Sequence, residues 1–184
     1  KRWWKGLPNE LKSSIDSKIR NWSPESKEFL QALVRLDSLT YVQNDSFDLA
    51  VLKPLSELRY LNLKTCKLKA TEVLNGFKTL EYLDVSETGL SNINWVAGLT
   101  QLKVLKAEKN QITEVSALKG LKNLTQVRLD GNPLPLQSTL AVCHAHPEWN
   151  LRWHSDWLRL HWLELDSAWT QTLKNKYPDL PEPD

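Results

Sequence analysis

Five segments of this chain repeat one pattern of apolar residues at a constant interval of 22 residues. The pattern reads L-x-x-L-x-L-x-x-N-x-L, in which L marks an apolar position and x marks any residue, and the first segment follows it as far as Asn44. The segments begin at Leu36, Leu58, Leu80, Leu102 and Leu124. No insertion or deletion breaks the interval, so the sequence predicts a stack of equivalent structural units.

The second half of each unit repeats as well. Two further apolar columns keep the same interval: Leu52, Leu74, Val96, Leu118 and Leu140 in one, and Leu55, Phe77, Leu99, Leu121 and Cys143 in the other. In the L-x-x-L-x-L part, alternate side chains of a short strand point inward. A single unit cannot bury these side chains alone, so we expect neighbouring units to stack into one core.

These residues resemble the leucine-rich repeat, in particular the short 22-residue class found in internalins. The stretch from Asn110 to Leu124 is close to a consensus unit of that family. The resemblance covers residues 36–146 and implies an α/β fold: a right-handed solenoid with a parallel, concave β-sheet and helical caps at both ends. It also implies that ligands bind on the concave face.

The resemblance further implies a ladder of buried amides that closes the turn after each strand. The column that would hold this ladder consists of Asn44, Cys66, Thr88, Asn110 and Asn132. Because the side chains of Cys66 and Thr88 are weaker substitutes for an amide, we expect the ladder to be incomplete in the second and third units.

Residues 1–35 are predicted to form a helical N-terminal cap. An apolar stripe of helical spacing runs through Leu7, Leu11, Ile15, Ile19 and Trp22, and it indicates a first helix. Asn9 is the expected N-cap of this helix. The Ser23-Pro24 pair is typical of a helix start and predicts a second helix.

Residues 36–154 hold the five regular repeats and one degenerate repeat, which begins at His146. Residues 155–184 are predicted to form a helical, Trp-rich C-terminal cap. Its apolar stripe consists of Leu158, Trp162, Leu165, Trp169 and Leu173, which is a helical spacing.

Side chains that point outward from the strands line the predicted binding face. Stepping by 22 residues puts Ser38, Tyr60, Tyr82, Val104, Gln126 and Glu148 in the first column, and Thr40, Asn62, Asp84, Lys106, Arg128 and Asn150 in the second. We expect Tyr60 and Tyr82 to stack on adjacent strands. The candidate partner-binding residues are Tyr60, Tyr82, Val104, Asn62, Asp84, Lys106 and Arg128. Cross-strand stabilisation without any partner is the alternative for the tyrosines.

No pattern in the chain favours catalysis, a metal or a cofactor. Cys143, His144 and His146 come close together, with His154 and His161 further on, but a zinc site needs four converging ligands and the repeat pattern places Cys143 in an inward column. The 24 basic and 22 acidic residues give a net charge of +2, which does not favour nucleic-acid binding. No apolar run is long enough to span a membrane.

We therefore interpret the chain as a monomeric, non-catalytic module that binds another protein or a peptide. The absence of a visible signal peptide favours the cytoplasm, and secretion after signal removal stays open. One alternative is a recognition or regulatory fragment of a larger multidomain enzyme. Another is a surface adhesion or carbohydrate-binding module that uses the Trp cluster, with Trp157 and Trp162 as contacts.

Overall fold

The computed structural model describes residues 2–19, 23–24, 26–153, 171 and 174–175. It contains four α-helices, in the described residues: α1 (Arg2–Lys5), α2 (Asn9–Asp16), α3 (Lys27–Val34) and α4 (Leu136–Ala145). The strands are β1 (Ser38–Thr40), β2 (Ser46–Asp48), β3 (Tyr60–Asn62), β4 (Lys67–Lys69), β5 (Tyr82–Asp84), β6 (Val104–Lys106), β7 (Gln126–Arg128) and β8 (Asn150–Arg152).

Six of these strands form one parallel sheet in the order β1-β3-β5-β6-β7-β8. From β1 to β7 the register advances by one repeat at each step, so that Ser38 lies beside Tyr60 and Tyr60 lies beside Tyr82. Strands β2 and β4 form a separate parallel pair. The predicted α/β repeat fold with a parallel sheet is therefore confirmed.

The inward side chains of the strands build a continuous core between successive units. Leu61, Leu83, Leu105 and Val127 have no exposed surface. The column formed by Leu52, Leu74, Val96 and Leu118 is also fully buried. Full burial of a Leu or Val side chain stabilises a fold by about 1.5–3 kcal/mol, and each unit therefore depends on its neighbours for this contribution.

Short 3₁₀ helices contain the apolar column formed by Leu52, Leu74, Val96 and Leu118. They span Leu49–Leu52, Thr71–Gly76, Asn94–Gly98 and Ser116–Gly120. Trp95, in the third of them, is half-buried against the core. The apolar spacing predicted the burial of this column but not the type of helix.

The sixth repeat differs from its predicted register by two residues. Gln126 pairs with Asn150, and Arg128 pairs with Arg152, whereas a step of 22 residues would put Glu148 and Asn150 at these places. The cause is α4, a ten-residue α-helix in the place of the five-residue 3₁₀ helix of the preceding unit. Because side chains alternate between the two faces of a sheet, a shift by two residues leaves inward positions inward and outward positions outward.

Both predicted N-caps in the N-terminal region are wrong. Asn9 is the first residue of α2, and Pro8 precedes it. Helix α3 begins at Lys27, because the Ser26 side chain accepts a hydrogen bond from the Phe29 amide at 3.0 Å. The Ser23-Pro24 pair lies in a preceding turn, which a hydrogen bond from the Ser26 amide to the Ser23 carbonyl closes.

The apolar stripe of the first cap helix is buried at Leu7, Leu11, Ile15 and Ile19, and its fifth member, Trp22, lies outside the described residues. Helix α1 was not predicted from the sequence. Its Trp3 donates a hydrogen bond from Nε1 to the Val51 carbonyl, which joins this helix to the first repeat. The predicted C-terminal cap also lies almost entirely outside the described residues.

Two asparagines hold consecutive units together through their buried side-chain amides. Asn110 donates to the carbonyls of Val85 and Ala107 and accepts from the amides of Thr88 and Leu90, with all four distances between 2.9 and 3.1 Å. Asn132 repeats this arrangement one unit later, where it donates to Ala107 and Leu129 and accepts from the Ile112 amide.

The other members of this column make fewer bonds. The Cys66 thiol lies 3.2 Å from the Tyr41 carbonyl of the preceding unit, and burial raises the pKa of this thiol. The Thr88 hydroxyl donates to the Val85 carbonyl. Asn44 is exposed, so the ladder expected from the resemblance does not extend to the first unit.

The residue before each ladder position adopts a left-handed backbone conformation. The φ angles are +67° at Thr65, +61° at Glu87, +52° at Lys109 and +75° at Gly131. Only Gly131 enters this region without steric cost. An added Cβ at Gly131 would also lie 3.2 Å from the Lys109 backbone.

We predict that Asn110→Ala lowers the free energy of unfolding by about 3 kcal/mol, because two buried backbone amides lose their acceptor. Asn44→Ala, in the same column but exposed, is the matched control and is expected to change stability by less than about 0.5 kcal/mol. Urea denaturation followed by circular dichroism measures both. Equal effects of the two variants would contradict the ladder.

Gly131→Ala is expected to destabilise the fold by about 1–2 kcal/mol, because alanine is disfavoured at a positive φ. Gly120→Ala serves as control, since an added Cβ there meets no atom within 4 Å. Thermal denaturation compares the two variants. A melting temperature of the first variant that is equal to or above that of the control would show that the left-handed turn tolerates a side chain.

Candidate functional site

The outward side chains of the six-stranded sheet form one surface, which we call the open face. Its first row, read across the strands, contains Ser38, Tyr60, Tyr82, Val104, Gln126 and Asn150; its second row contains Thr40, Asn62, Asp84, Lys106, Arg128 and Arg152. Because strands pair in register, equivalent residues of successive units are direct neighbours. All seven predicted contact residues therefore lie on this face.

Tyr60 and Tyr82 form a stacked pair near the middle of the first row. Their ring centroids are 4.3 Å apart and their planes differ by 9°, which confirms the predicted stacking. Both side chains are half-buried, and Val104 continues the patch on the next strand. Burial, together with the neighbouring Tyr82, raises the pKa of the Tyr60 hydroxyl above its usual value.

Lys106, in the second row, lies beside this aromatic patch. Its Nζ atom lies 5.3 Å from the centroid of the Tyr82 ring, within the range of a cation–π interaction. A hydrogen bond with the Tyr82 hydroxyl raises the pKa of the Lys106 ammonium group. The patch therefore presents aromatic surface with a fixed positive charge beside it.

Asn62 and Asp84 have a structural role that the sequence analysis did not identify. Each side chain accepts a hydrogen bond from the backbone amide two residues further on, at Lys64 for Asn62 (3.1 Å) and at Ser86 for Asp84 (3.0 Å). These bonds shape the turn after the strand. Asp84 is only 6% exposed, so a partner has limited access to its carboxylate.

The second row ends in three consecutive cations: Lys106, Arg128 and Arg152. They lie directly beside one another on β6, β7 and β8, an arrangement in which like charges repel. The acids Glu108 and Asp130 come two residues after Lys106 and Arg128, just beyond the ends of β6 and β7, but in the described residues neither forms an ion pair with this row. The Arg128 Nε atom is buried and has no hydrogen-bond partner among the residues that the structure describes.

Arg152 was missed as a candidate because the uninterrupted interval of 22 residues puts Asn150 in its place. The Pro135 that precedes α4 is a helix-start signal, which the sequence analysis did not use. The length of α4, which sets the register, does not follow from that signal.

An ion-paired row borders the open face at the start of the strands. The Glu81 carboxylate lies 2.6 Å from Lys103 Nζ and 3.0 Å from Arg59 Nη2, which joins three adjacent strands. The hydrogen bond from Lys103, with the charge of Arg59, lowers the pKa of Glu81. In this border one carboxylate bridges two cations, whereas the row that ends in Arg152 forms no ion pair among the described residues.

Within the described residues, no group of three or more His, Cys, Asp or Glu side chains is placed to hold a metal ion. His146 stacks on Trp149 with centroids 4.0 Å apart and lies 2.9 Å from the Lys119 carbonyl through Nε2. The side chains of Cys143 and His144, and all of His154 and His161, lie outside what the structure describes. No helix in the described part is long and apolar enough to cross a bilayer.

This sheet with its stacked 3₁₀ units is the leucine-rich repeat fold. No family model matches the chain, and no curated protein matches it by sequence. Among solved structures, an internalin (InlF) of Listeria monocytogenes is 22% identical, with a TM-score of 0.54 over 70% of this chain and 46% of its own. The chain thus spans less than half of that structure.

Two other solved structures have the same fold. An internalin C2 of Listeria monocytogenes is 19% identical, with a TM-score of 0.58 over 79% of this chain and 73% of its own. A leucine-rich repeat protein of Leptospira interrogans is 24% identical, with a TM-score of 0.53 over 68% of this chain and 33% of its own. The similarity to all three shows the fold, and the resemblance seen in the repeats is thereby confirmed.

The stability of the fold should fall as the pH rises above about 10. Burial raises the pKa of both the Tyr41 and the Tyr60 hydroxyl, so the unfolded chain releases these protons at a lower pH than the folded one. The stability that the two neutral hydroxyls contribute is fully present below pH 10. It is lost as the pH rises through the pKa values that these hydroxyls have in the folded protein. Urea midpoints between pH 9 and 11.5 measure this loss. Tyr41→Phe with Tyr60→Phe should flatten the curve, and an unchanged slope would contradict the assignment.

Proposed function

We propose that this chain is a monomeric, non-catalytic recognition module that binds another protein or a peptide on the open face of its sheet. The observation that carries the proposal is the aromatic patch formed by Tyr60, Tyr82 and Val104 in the first row of that face. Two features support the proposal: the stacking of the two tyrosine rings and the buried core behind the sheet.

The aromatic patch has the properties of a binding anchor. Tyrosine contributes a large contact area and has few rotamers to lose on binding, and residues of this type dominate many interfaces. Tyr60 and Tyr82 already restrict one another by stacking at 4.3 Å. A partner that covers this pair therefore restricts the two side chains little more than their stacking already does.

The sheet supports the patch rigidly from behind. Leu61 and Leu83, between the anchor residues and the core, have no exposed surface. Preorganisation of this kind increases affinity because the cost of ordering the site falls on folding and not on association. Six strands at about 4.8 Å spacing span about 24 Å, which is wide enough for part of a standard protein interface.

The second row supplies selectivity. Lys106 and Arg128 were predicted contacts, and Arg152 joins them in the observed register. Fixed charges beside an apolar anchor discriminate between partners more than they increase affinity. Asp84 and Asn62 contribute mainly by shaping the ends of the strands, because their oxygens bond to the backbone.

The test replaces the anchor: Tyr60→Ala with Tyr82→Ala is compared with the wild type. The full chain captures partners from extracts of its source, and the partner that is recovered is purified and titrated by calorimetry. Each buried tyrosine at an interface centre contributes about 1–2 kcal/mol or more, so we expect affinity to fall at least 30-fold.

The matched control is Glu72→Ala with Lys119→Ala, two exposed residues of the 3₁₀ helices. It should bind as the wild type does. Circular dichroism establishes that both double variants keep the fold. Unchanged affinity of the tyrosine variant at an unchanged melting temperature would refute the proposal.

A further inference from the structure

A second surface lies on the outer side of the N-terminal helices and reaches the ion-paired row at the border of the open face. Among the described residues, only three large apolar side chains are strongly exposed: Leu30 (51%), Val34 (45%) and Val42 (41%). Leu30 and Val34 are one helical turn apart in α3, so they lie on the same side of that helix. The other face of α3 is buried through Phe29 and Leu33.

These two side chains line an open groove. One cavity of about 450 Å³ is lined by Lys27, Leu30, Gln31, Val34 and Arg35. A second cavity of about 560 Å³ is lined by Val34, Arg35, Glu57, Arg59 and Thr79. Val34 and Arg35 line both cavities, so the two lie side by side along α3, and we call them together the cap groove.

The two walls of the cap groove come from different parts of the fold. Helix α3 supplies the apolar wall. Arg35, Glu57 and Thr79 are equivalent positions of successive units, each 22 residues apart, and they supply a polar wall where the strands start. The groove therefore exists only because the cap helix docks beside the first repeats.

The rim of the groove has an excess of positive charge. Lys27 and Arg35 form no ion pair with any described residue, and both are exposed. Arg59 is already paired with Glu81 at 3.0 Å, and Glu57 is the one acid among the residues that line the two cavities, beside the cations Lys27, Arg35 and Arg59. A ligand with negative charge at its ends and apolar side chains in its middle would complement this rim.

We propose that the cap groove is a docking site for a short acidic segment of another protein, which inserts two apolar side chains against Leu30 and Val34. Its carboxylates pair with Lys27 and Arg35. The distance from Leu30 to Val34 is about 6 Å along the helix, and two strand spacings add about 10 Å. An extended chain of roughly five residues covers this length.

This site adjoins the border of the open face at Arg59 but does not include the aromatic patch, and it does not depend on the function proposed for that patch. Tyr60 and Tyr82 line neither cavity. A partner could therefore hold the chain at the cap groove while the open face stays accessible.

The test uses a displayed library of random 12-residue peptides selected on the full chain, with Leu30→Asp/Val34→Asp as the counter-selection bait. We expect the enriched peptides to carry net negative charge and at least two apolar residues. The most enriched peptide is then synthesised with a fluorescent label, and its affinity is measured by anisotropy at low and high salt. Its affinity should fall as salt rises.

Two variants test the contacts separately. Leu30→Ala with Val34→Ala, and Lys27→Glu with Arg35→Glu, should each weaken binding at least tenfold. The matched control is Val42→Ala, which removes the third exposed apolar side chain and should leave affinity unchanged. Tyr60→Ala with Tyr82→Ala should also bind normally, so failure at one face is distinguishable from failure at the other.

Several results would overturn the proposal. They are a selection that enriches no peptide, enrichment of neutral or basic peptides, and binding that survives the Leu30/Val34 variant. Sedimentation could also show that the wild type self-associates and that the Leu30/Val34 variant does not. This result would identify a second copy of the chain as the occupant and would overturn the proposal. Because Lys27, Leu30, Val34, Arg35 and Val42 are exposed, unchanged melting temperatures are expected for the variants at these positions.

Discussion

The burial of apolar side chains between successive units is the interaction on which the rest of this structure depends. Within one unit, Leu83 and Val96 have no partner layer of their own, and they become fully buried only between neighbouring units. This dependence makes the chain a stack in which every strand is placed by the one before it. The open face follows directly, because side chains that alternate with the buried ones must point to the other side.

Hydrogen bonds refine the arrangement of the units that apolar burial has stacked. Asn110 and Asn132 satisfy backbone groups of two units at once, which ties the turn after one strand to the next. Where the column holds Cys66 or Thr88, two sulfur or hydroxyl contacts take the place of the bonds that an amide makes. The repeat tolerates these weaker bonds because the leucine columns on either side continue without interruption.

The candidate binding face was predictable to the extent that it depends on the repeat. Tyr60 and Tyr82 are 22 residues apart, so their stacking follows from register alone, and the structure confirms it. The roles of Asn62 and Asp84 were not predictable, because the sequence does not show that their oxygens bond to the backbone. Arg152 was missed because its place depends on the length of a helix that the repeat pattern does not contain.

The sequence by itself determined the units, their inward columns and the side of the sheet that stays open, because a constant interval can be satisfied only by stacking. Tertiary structure decided the features at the ends of the stack. There Ser26, and not Ser23, caps α3, and α4 moves β8 by two residues. The docking of α3 beside the first units then creates a groove under Leu30 and Val34. Such contacts join segments that share no periodicity, so they are determined only when the chain packs.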